Sequence, residues 1–249
     1  MRIFFSFLLI SGMALSAQVQ LQSVSAPDIL RKIDRNLALD EAVSTATMII
    51  HGRRGSRTIQ SRSWIKGRDT AFVEYLKPPR EKGKKMLKLG DKLWTYTPDP
   101  VDRIITISGH LLRQSVMGSD LSYEDITENP KLAEDYHAKI IGEETLRGRP
   151  CFVLELTAKK KDLAYHRRKI WVDKKRWIPL KEERFARSGR LLKTSEILEV
   201  FRINNRWYPK RMTFKDMLSR GEGTEYIVDS IKFGVKIPPY KFSKAALRK

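Results

Sequence analysis

From Thr45 onward the chain is a succession of short runs in which apolar and polar positions alternate, each run closed by a turn signal. Thr45 to Gly52 and Thr58 to Lys66 flank Arg53-Arg54-Gly55-Ser56, the pattern of a hairpin. Thr70 to Lys77 ends at Pro78-Pro79, and Gly90-Asp91 joins Lys84–Leu89 to Lys92–Thr97. Arg103 to Ile107 closes this first set of strands. After a break, Tyr136–Glu143 and Cys151–Ala158 turn at Arg147-Gly148-Arg149-Pro150. The stretch from Lys169 to Ser243 is then punctuated at Asp173-Lys174-Lys175, Ser188-Gly189, Asn204-Asn205 and Arg220-Gly221-Glu222-Gly223, which reads as an antiparallel meander. The pattern predicts about eleven strands and two or three helices.

The helical segments have the other period. Ile29, Ile33 and Leu37 recur every fourth residue behind Pro27, which predicts one amphipathic helix from about Pro27 to Leu39. Between the two sets of strands, His110–Pro130 carries Leu111, Leu112, Ser115 and Val116 at helical spacing. Met117-Gly118-Ser119-Asp120 interrupts it, and Ser122–Glu128 reads as a second short helix with Ser122 and Asp125 as its capping pair. In the strands, Phe152, Leu154 and Leu156 share one face, as do Trp94 with Tyr96 and Met212 with Phe214, whereas Lys181 and Glu183 are polar. A sheet with one apolar and one wet face curves around something apolar. That filling is either the chain's own helices, giving an ordinary core, or in part a ligand, and both readings stand at this point.

The first residues give an address. A single charge, Arg2, precedes an apolar stretch to about Leu15 and small residues at Ala14, Ser16 and Ala17, the form of a secretory signal peptide over residues 1–17. The stretch is shorter than the roughly 20 apolar residues of a spanning helix. No cysteine stands near the cleavage site to carry a lipid, so the exported chain is expected to be soluble and periplasmic. Residues 18–249 suit one domain, with its core over about 26–243. The single cysteine, Cys151, allows no intramolecular disulfide and sits in a strand pattern that buries it.

Charge sharpens the picture. The chain holds 49 Lys and Arg against 29 Asp and Glu, a net charge of +20. Lys77–Lys88 has six basic residues and one acidic, and Lys159–Arg176 has nine and two. In the cytosol such a balance points to nucleic acid. An exported protein meets lipid headgroups instead, so no nucleic-acid partner is expected, and an anionic membrane surface or a docking partner is. The alternative is a solvated basic face that keeps the protein soluble.

Chemistry is absent from the sequence. It has no G-x-S-x-G elbow and no H-E-x-x-H pair, and His51, His110, His137 and His166 show no ligand spacing. Glu143-Glu144 and Glu182-Glu183 are adjacent pairs, which strands send to opposite faces, and most of these carboxylates are expected in solvent. No glycine-rich loop opens a helix. The expectation is a protein that is not an enzyme, with no catalytic residues, metal or cofactor.

Four segments carry a resemblance in a fixed order: Met117-Gly118-Ser119-Asp120-Leu121-Ser122-Tyr123-Glu124-Asp125-Ile126, Ile170-Trp171-Val172-Asp173, Gly189-Arg190-Leu191-Leu192-Lys193-Thr194 and Ile237-Pro238-Pro239-Tyr240-Lys241-Phe242-Ser243. Over about Ala26–Ser243 the chain resembles the LolA-like outer-membrane lipoprotein-sorting proteins, although it is longer and more basic than typical LolA. The resemblance implies a mainly β fold, an unclosed antiparallel β-barrel with a helical lid, in the periplasm. It implies that acyl chains of lipoproteins or other envelope lipids are shielded between the inner and outer membranes. It also implies an inner-membrane transporter of the resistance-nodulation-division type as a partner. On this reading Pro27–Leu39 and Leu111–Glu128 are the lid candidates, and Met48, Trp64, Met86, Trp94, Tyr96, Met117 and Phe152 are the candidate lipid contacts. The alternative is an interaction or sensor module of the same fold that assists an envelope transporter and carries no cargo. Sequencing the N-terminus of the exported protein checks the address: the first residue is expected to be Ala17 or Gln18, and an intact Met1 overturns it.

Overall fold

The computed structural model describes residues 24–127 and 131–249. The expected signal peptide lies outside the described residues, as does the Glu128–Pro130 end of the helical insertion. The strands are β1 (Glu41–Gly52), β2 (Gly55–Lys66), β3 (Thr70–Lys77), β4 (Lys85–Leu89), β5 (Lys92–Thr97), β6 (Arg103–Ile107), β7 (Tyr136–Leu146), β8 (Arg149–Ala158), β9 (Arg167–Asp173), β10 (Pro179–Phe185), β11 (Leu191–Ile203), β12 (Arg206–Asp216) and β13 (Gly223–Phe233). They form one thirteen-stranded antiparallel sheet in the order β6-β5-β4-β3-β2-β1-β13-β12-β11-β10-β9-β8-β7. The count exceeds the eleven expected because every turn signal of the closing meander separates two full strands, making five there. Asn204 and Asn205, both with positive φ (47° and 59°), form the tight turn between β11 and β12.

Each wing of the sheet is a meander, β1 to β6 and β7 to β13, and the two wings meet where the first strand pairs with the last. β1 bonds to β13 along its length, with a register shift that skips Asp229. β6 and β7 each have one neighbour, so the sheet is an unclosed half-barrel. Burial along β1 alternates strictly, Ala42, Ser44, Ala46, Met48 and Ile50 pointing inward.

Two separate helical pieces fill the concave side. Helix α1 (Ala26–Leu37) starts on Ser25, whose hydroxyl caps the Asp28 N–H, and ends two residues before the expected Leu39. It buries Ala26, Ile29, Leu30 and Ile33 against Leu154, Leu156, Ile170 and Val172 of β8 and β9. Its Asp34 carboxylate accepts the Leu132 and Ala133 N–H groups at 2.9 and 3.0 Å and so caps α3 (Leu132–Asp135). The expected capping pair opens α2 (Tyr123–Thr127): Ser122 N–H donates to Asp125 and Asp125 N–H donates to the Ser122 hydroxyl. Upstream of it, Gly109–Arg113 forms only a 3-10 turn. Leu121, Tyr123 and Ile126 then pack on Met48, Ile50, Ile59, Val73, Tyr75 and Met86 of the other wing.

The loop before α2 is pinned to the sheet by one buried carboxylate. Asp120 accepts from the Thr224 hydroxyl (2.7 Å) and from Asp216 N–H (2.9 Å), while its own N–H donates to Thr224 (3.0 Å). Gly118, with φ +70°, makes the reversal that allows this approach. On the convex side of the first wing, the C-terminal 3-10 turns at Pro239–Phe242 and Lys244–Leu247 cover Phe72, Leu87 and Trp94. Asp120→Ala orphans one buried and one half-buried donor and is expected to lower unfolding free energy by about 2 kcal/mol in chemical denaturation.

Candidate ligand cavity

A cavity of about 240 Å³ remains between the two fillings, over the β1–β13 seam. Met212 and Phe214 of β12, Tyr226, Val228 and Ile231 of β13, and Ser63 and Ile65 of β2 form its wall. The skipped residue Asp229 explains why Val228 and Ile231 share this face despite their odd spacing. Leu37 and Leu39, at the end of α1, close one side, and Leu121, Asp125 and Ile126 roof the other. Burial raises the Tyr208 hydroxyl's pKa and pushes that of Tyr226 up to about 12, so both lining phenols stay neutral. A second space of about 140 Å³ adjoins the first, sharing Leu37, Pro209, Met212 and Phe214, and continues to Arg168, Glu182 and Arg184.

That second space is built on an unusual row. The registers place Arg168 of β9 opposite Arg184 of β10, and Arg184 opposite Lys193 of β11. Three cations thus stand side by side on the concave face, where like charges repel. Two carboxylates hold them. Glu182 pairs with Arg168 and, at 3.0 Å, with Arg184. Asp125 of α2 accepts from Arg184 Nη1 (2.8 Å), Lys193 Nζ (2.5 Å), the Tyr165 hydroxyl (2.7 Å) and the Ser122 hydroxyl (2.7 Å). Burial raises the Glu182 pKa, but Arg168 and Arg184 outweigh it and hold the group at about 2. Burial acts the same way on Asp125, and Arg184 and Lys193 keep it well below the usual carboxylate range. Arg184 Nε is buried without an acceptor.

Comparison with known proteins places this architecture. A family model described only as "Uncharacterized protein" matches residues 67–249. No curated protein matches the chain by sequence. A DUF1329 family protein of Desulfovibrio piger superposes with a TM-score of 0.81 at 26% identity, over 89% of this chain and 97% of that one. A LolA superfamily protein of Nitrosomonas europaea gives 0.76 at 26% identity, over 90% and 100%. A Vibrio parahaemolyticus domain described as an outer-membrane lipoprotein-sorting protein gives 0.77 at 24% identity, over 90% and 98%. The chain belongs to the family of the matching model, and its fold is LolA-like.

In this LolA-like chain the seven sequence-predicted contacts fall into three places, and none is among the residues lining the 240 Å³ cavity. Met48 and Met86 are on the concave face, and together with Met117 they pack in the cluster under α2. Trp64, Trp94 and Tyr96 lie on the opposite face in the cluster under the C-terminal turns, with Lys241 Nζ 3.8 Å from the Trp64 ring and Lys244 Nζ 4.4 Å from the Trp94 ring. Phe152 stacks on Trp177 at 6.3 Å beside the α1 cluster. Glu182 is the exception among the paired glutamates expected mostly in solvent: it is 7% exposed and ion-paired, whereas Glu143 and Glu144 are exposed. The signal that finds it is the alternation itself. Lys181 and Glu183 mark one side of β10 as the wet one, which leaves Glu182 and Arg184 facing inward. Among the described residues, no cluster of metal-ligating side chains occurs and no helix is long and apolar enough to cross a membrane.

The depressed carboxylates have a pH consequence. Glu182 titrates near 4.5 when unfolded and about 2 when folded, so its contribution is complete above pH 4.5 and disappears as pH falls through 2. In denaturant melts at stepped pH, Glu182 is expected to account for a loss on the order of 3 kcal/mol across that window, and Glu182→Gln to remove that share while the share of Asp125 persists.

Proposed function

We propose that this LolA-like protein is a periplasmic carrier that shields acyl chains of a lipoprotein or another envelope lipid between the two membranes. The observation that carries the reading is the apolar cavity over the β1–β13 seam, roofed by a five-residue helix. Each methylene moved from water into such a space contributes about 0.8 kcal/mol, so a chain binds there without any polar contact. At about 240 Å³ the cavity is slightly smaller than the roughly 300–1,000 Å³ of ordinary ligand pockets. A long chain therefore requires α2 to lift, and lifting it uncovers Met48 and Met86, whose flexible thioethers repack around varied chains. Trp64, Trp94 and Tyr96 support the first wing from behind, and Phe152 packs on the concave face beside α1.

In this reading residues 1–17 direct export, and residues 18–249 work as one domain. Basic side chains of Lys77–Lys88 and Lys159–Arg176 that face solvent bring the carrier to an anionic membrane surface, each contributing about 1 kcal/mol when close to it. An inner-membrane transporter of the resistance-nodulation-division type is the proposed donor or acceptor of cargo. Native mass spectrometry of protein purified from the periplasm tests the reading. Lipid-mass adducts are expected on the wild type and about tenfold fewer on Met212→Glu, whose fold circular dichroism checks. Empty wild-type protein under all conditions replaces the carrier with an interaction module of the same fold.

A further inference from the structure

The geometry points to an anion-binding site at Arg184 and Lys193 that takes the carboxylate or phosphate head of an amphiphile whose chain lies in the cavity. The inference rests on the carrier reading and adds the chemistry of the head.

On the sheet alone, Arg168 and Arg184 ion-pair with Glu182, and Lys193 stands opposite Asp216 of β12, so three cations meet two carboxylates and one positive charge is left over. The lid supplies the missing anion. Asp125 sits among four side-chain donors, Arg184 Nη1, Lys193 Nζ and the hydroxyls of Tyr165 and Ser122. Two charged donors and two hydroxyls converging on one carboxylate make a cradle for any carboxylate or phosphate. Asp125 also lines the apolar cavity, and Arg184 lines the adjoining space. A chain in the cavity therefore brings its head to the place that Asp125 occupies. The cradle has spare capacity, because the buried Arg184 Nε has no acceptor.

Asp125 is thus an internal stand-in for the ligand's head. Exchange of one anion for another keeps the cation row compensated while α2 comes free. A neutral amphiphile that displaced α2 would leave Arg184 and Lys193 facing each other with too few anions, and it binds more weakly for that reason. Lid release and selectivity for anionic heads are one event.

The test compares dodecanoate, dodecyl phosphate and dodecanol on the full exported chain by isothermal calorimetry, below their aggregation limits. Both anions, or one of them, are expected to bind at least about tenfold more tightly than dodecanol, the worth of one charge-assisted hydrogen bond. The stronger anion assigns the head as carboxylate or phosphate. Lys193→Met is expected to bring the anion-to-alcohol ratio close to one, and Asp125→Asn to raise it about tenfold by removing the competitor. Arg184→Gln serves as a second variant where its melting curve shows a folded protein. If all three probes bind with equal affinity, or if Lys193→Met leaves the ratio unchanged, the anion site is overturned and the carrier reading stands. If none of the three binds, both fall.

Discussion

Three cations in one cross-strand row set the terms for the rest of this molecule. Arg168, Arg184 and Lys193 are held side by side by the register of β9, β10 and β11 and cannot move apart without breaking the sheet. They need carboxylates, and the sheet gives them one ion-pairing partner, Glu182, with Asp216 opposite Lys193 at the end of the row. The second ion-pairing partner, Asp125, comes from α2, a helix of five residues that could not hold its own shape in water. Buried ion pairs are weak evidence for stability, because desolvation offsets most of their attraction. Their effect here is on position. Apolar contacts from Leu121 and Ile126 hold the lid against the sheet in general, whereas Asp125 fixes it at one point along the strands.

The cavity follows from how the two wings are filled. Helix α1 packs on the β7–β9 side and stops at Leu37; the α2 segment packs on the β1–β4 side. Between them lies the seam where β1 meets β13, and neither piece is long enough to cover it. A longer α1 would have closed the gap and made an ordinary core. The sheet is wide enough to leave such a gap because it contains thirteen strands in one continuous layer.

The strands, the turns and the Ser122–Asp125 capping pair were legible in the sequence, because each depends on neighbours within a few residues. What alternation cannot say is which face is concave. Trp64 and Trp94 look like better lipid contacts than Ser63 and Ile65, and the parity of β2 separates them correctly, but both faces of this wing are apolar. The reason lies far away in the chain: Phe242, Ala246 and Leu247 fold back and cover the convex side, which gives that side its own core. The cavity wall was likewise hidden, since the skip at Asp229 brings Ile231 onto the face of Val228 and Tyr226. Glu182 and Arg184 were the exception. Two opposite charges at inward-facing positions of β10 were visible as an anomaly, and only the register reveals that Arg168 and Lys193 stand beside them.

The large positive charge divides accordingly into two populations. Most basic residues face solvent and act over distance, where salt screens them. Arg168, Arg184 and Lys193 act at contact range inside the half-barrel, where screening is slight and each must be matched by a particular anion. If a ligand's head and the lid compete for the same cations, their coupling is reciprocal: whatever draws α2 away strengthens the hold on an anionic head, and a bound head weakens the hold on α2 to the same degree. A docking partner that favours the lid-open form would then load the carrier, and one that favours the closed form would empty it. Direction of transfer would reside in the partner, not in the carrier.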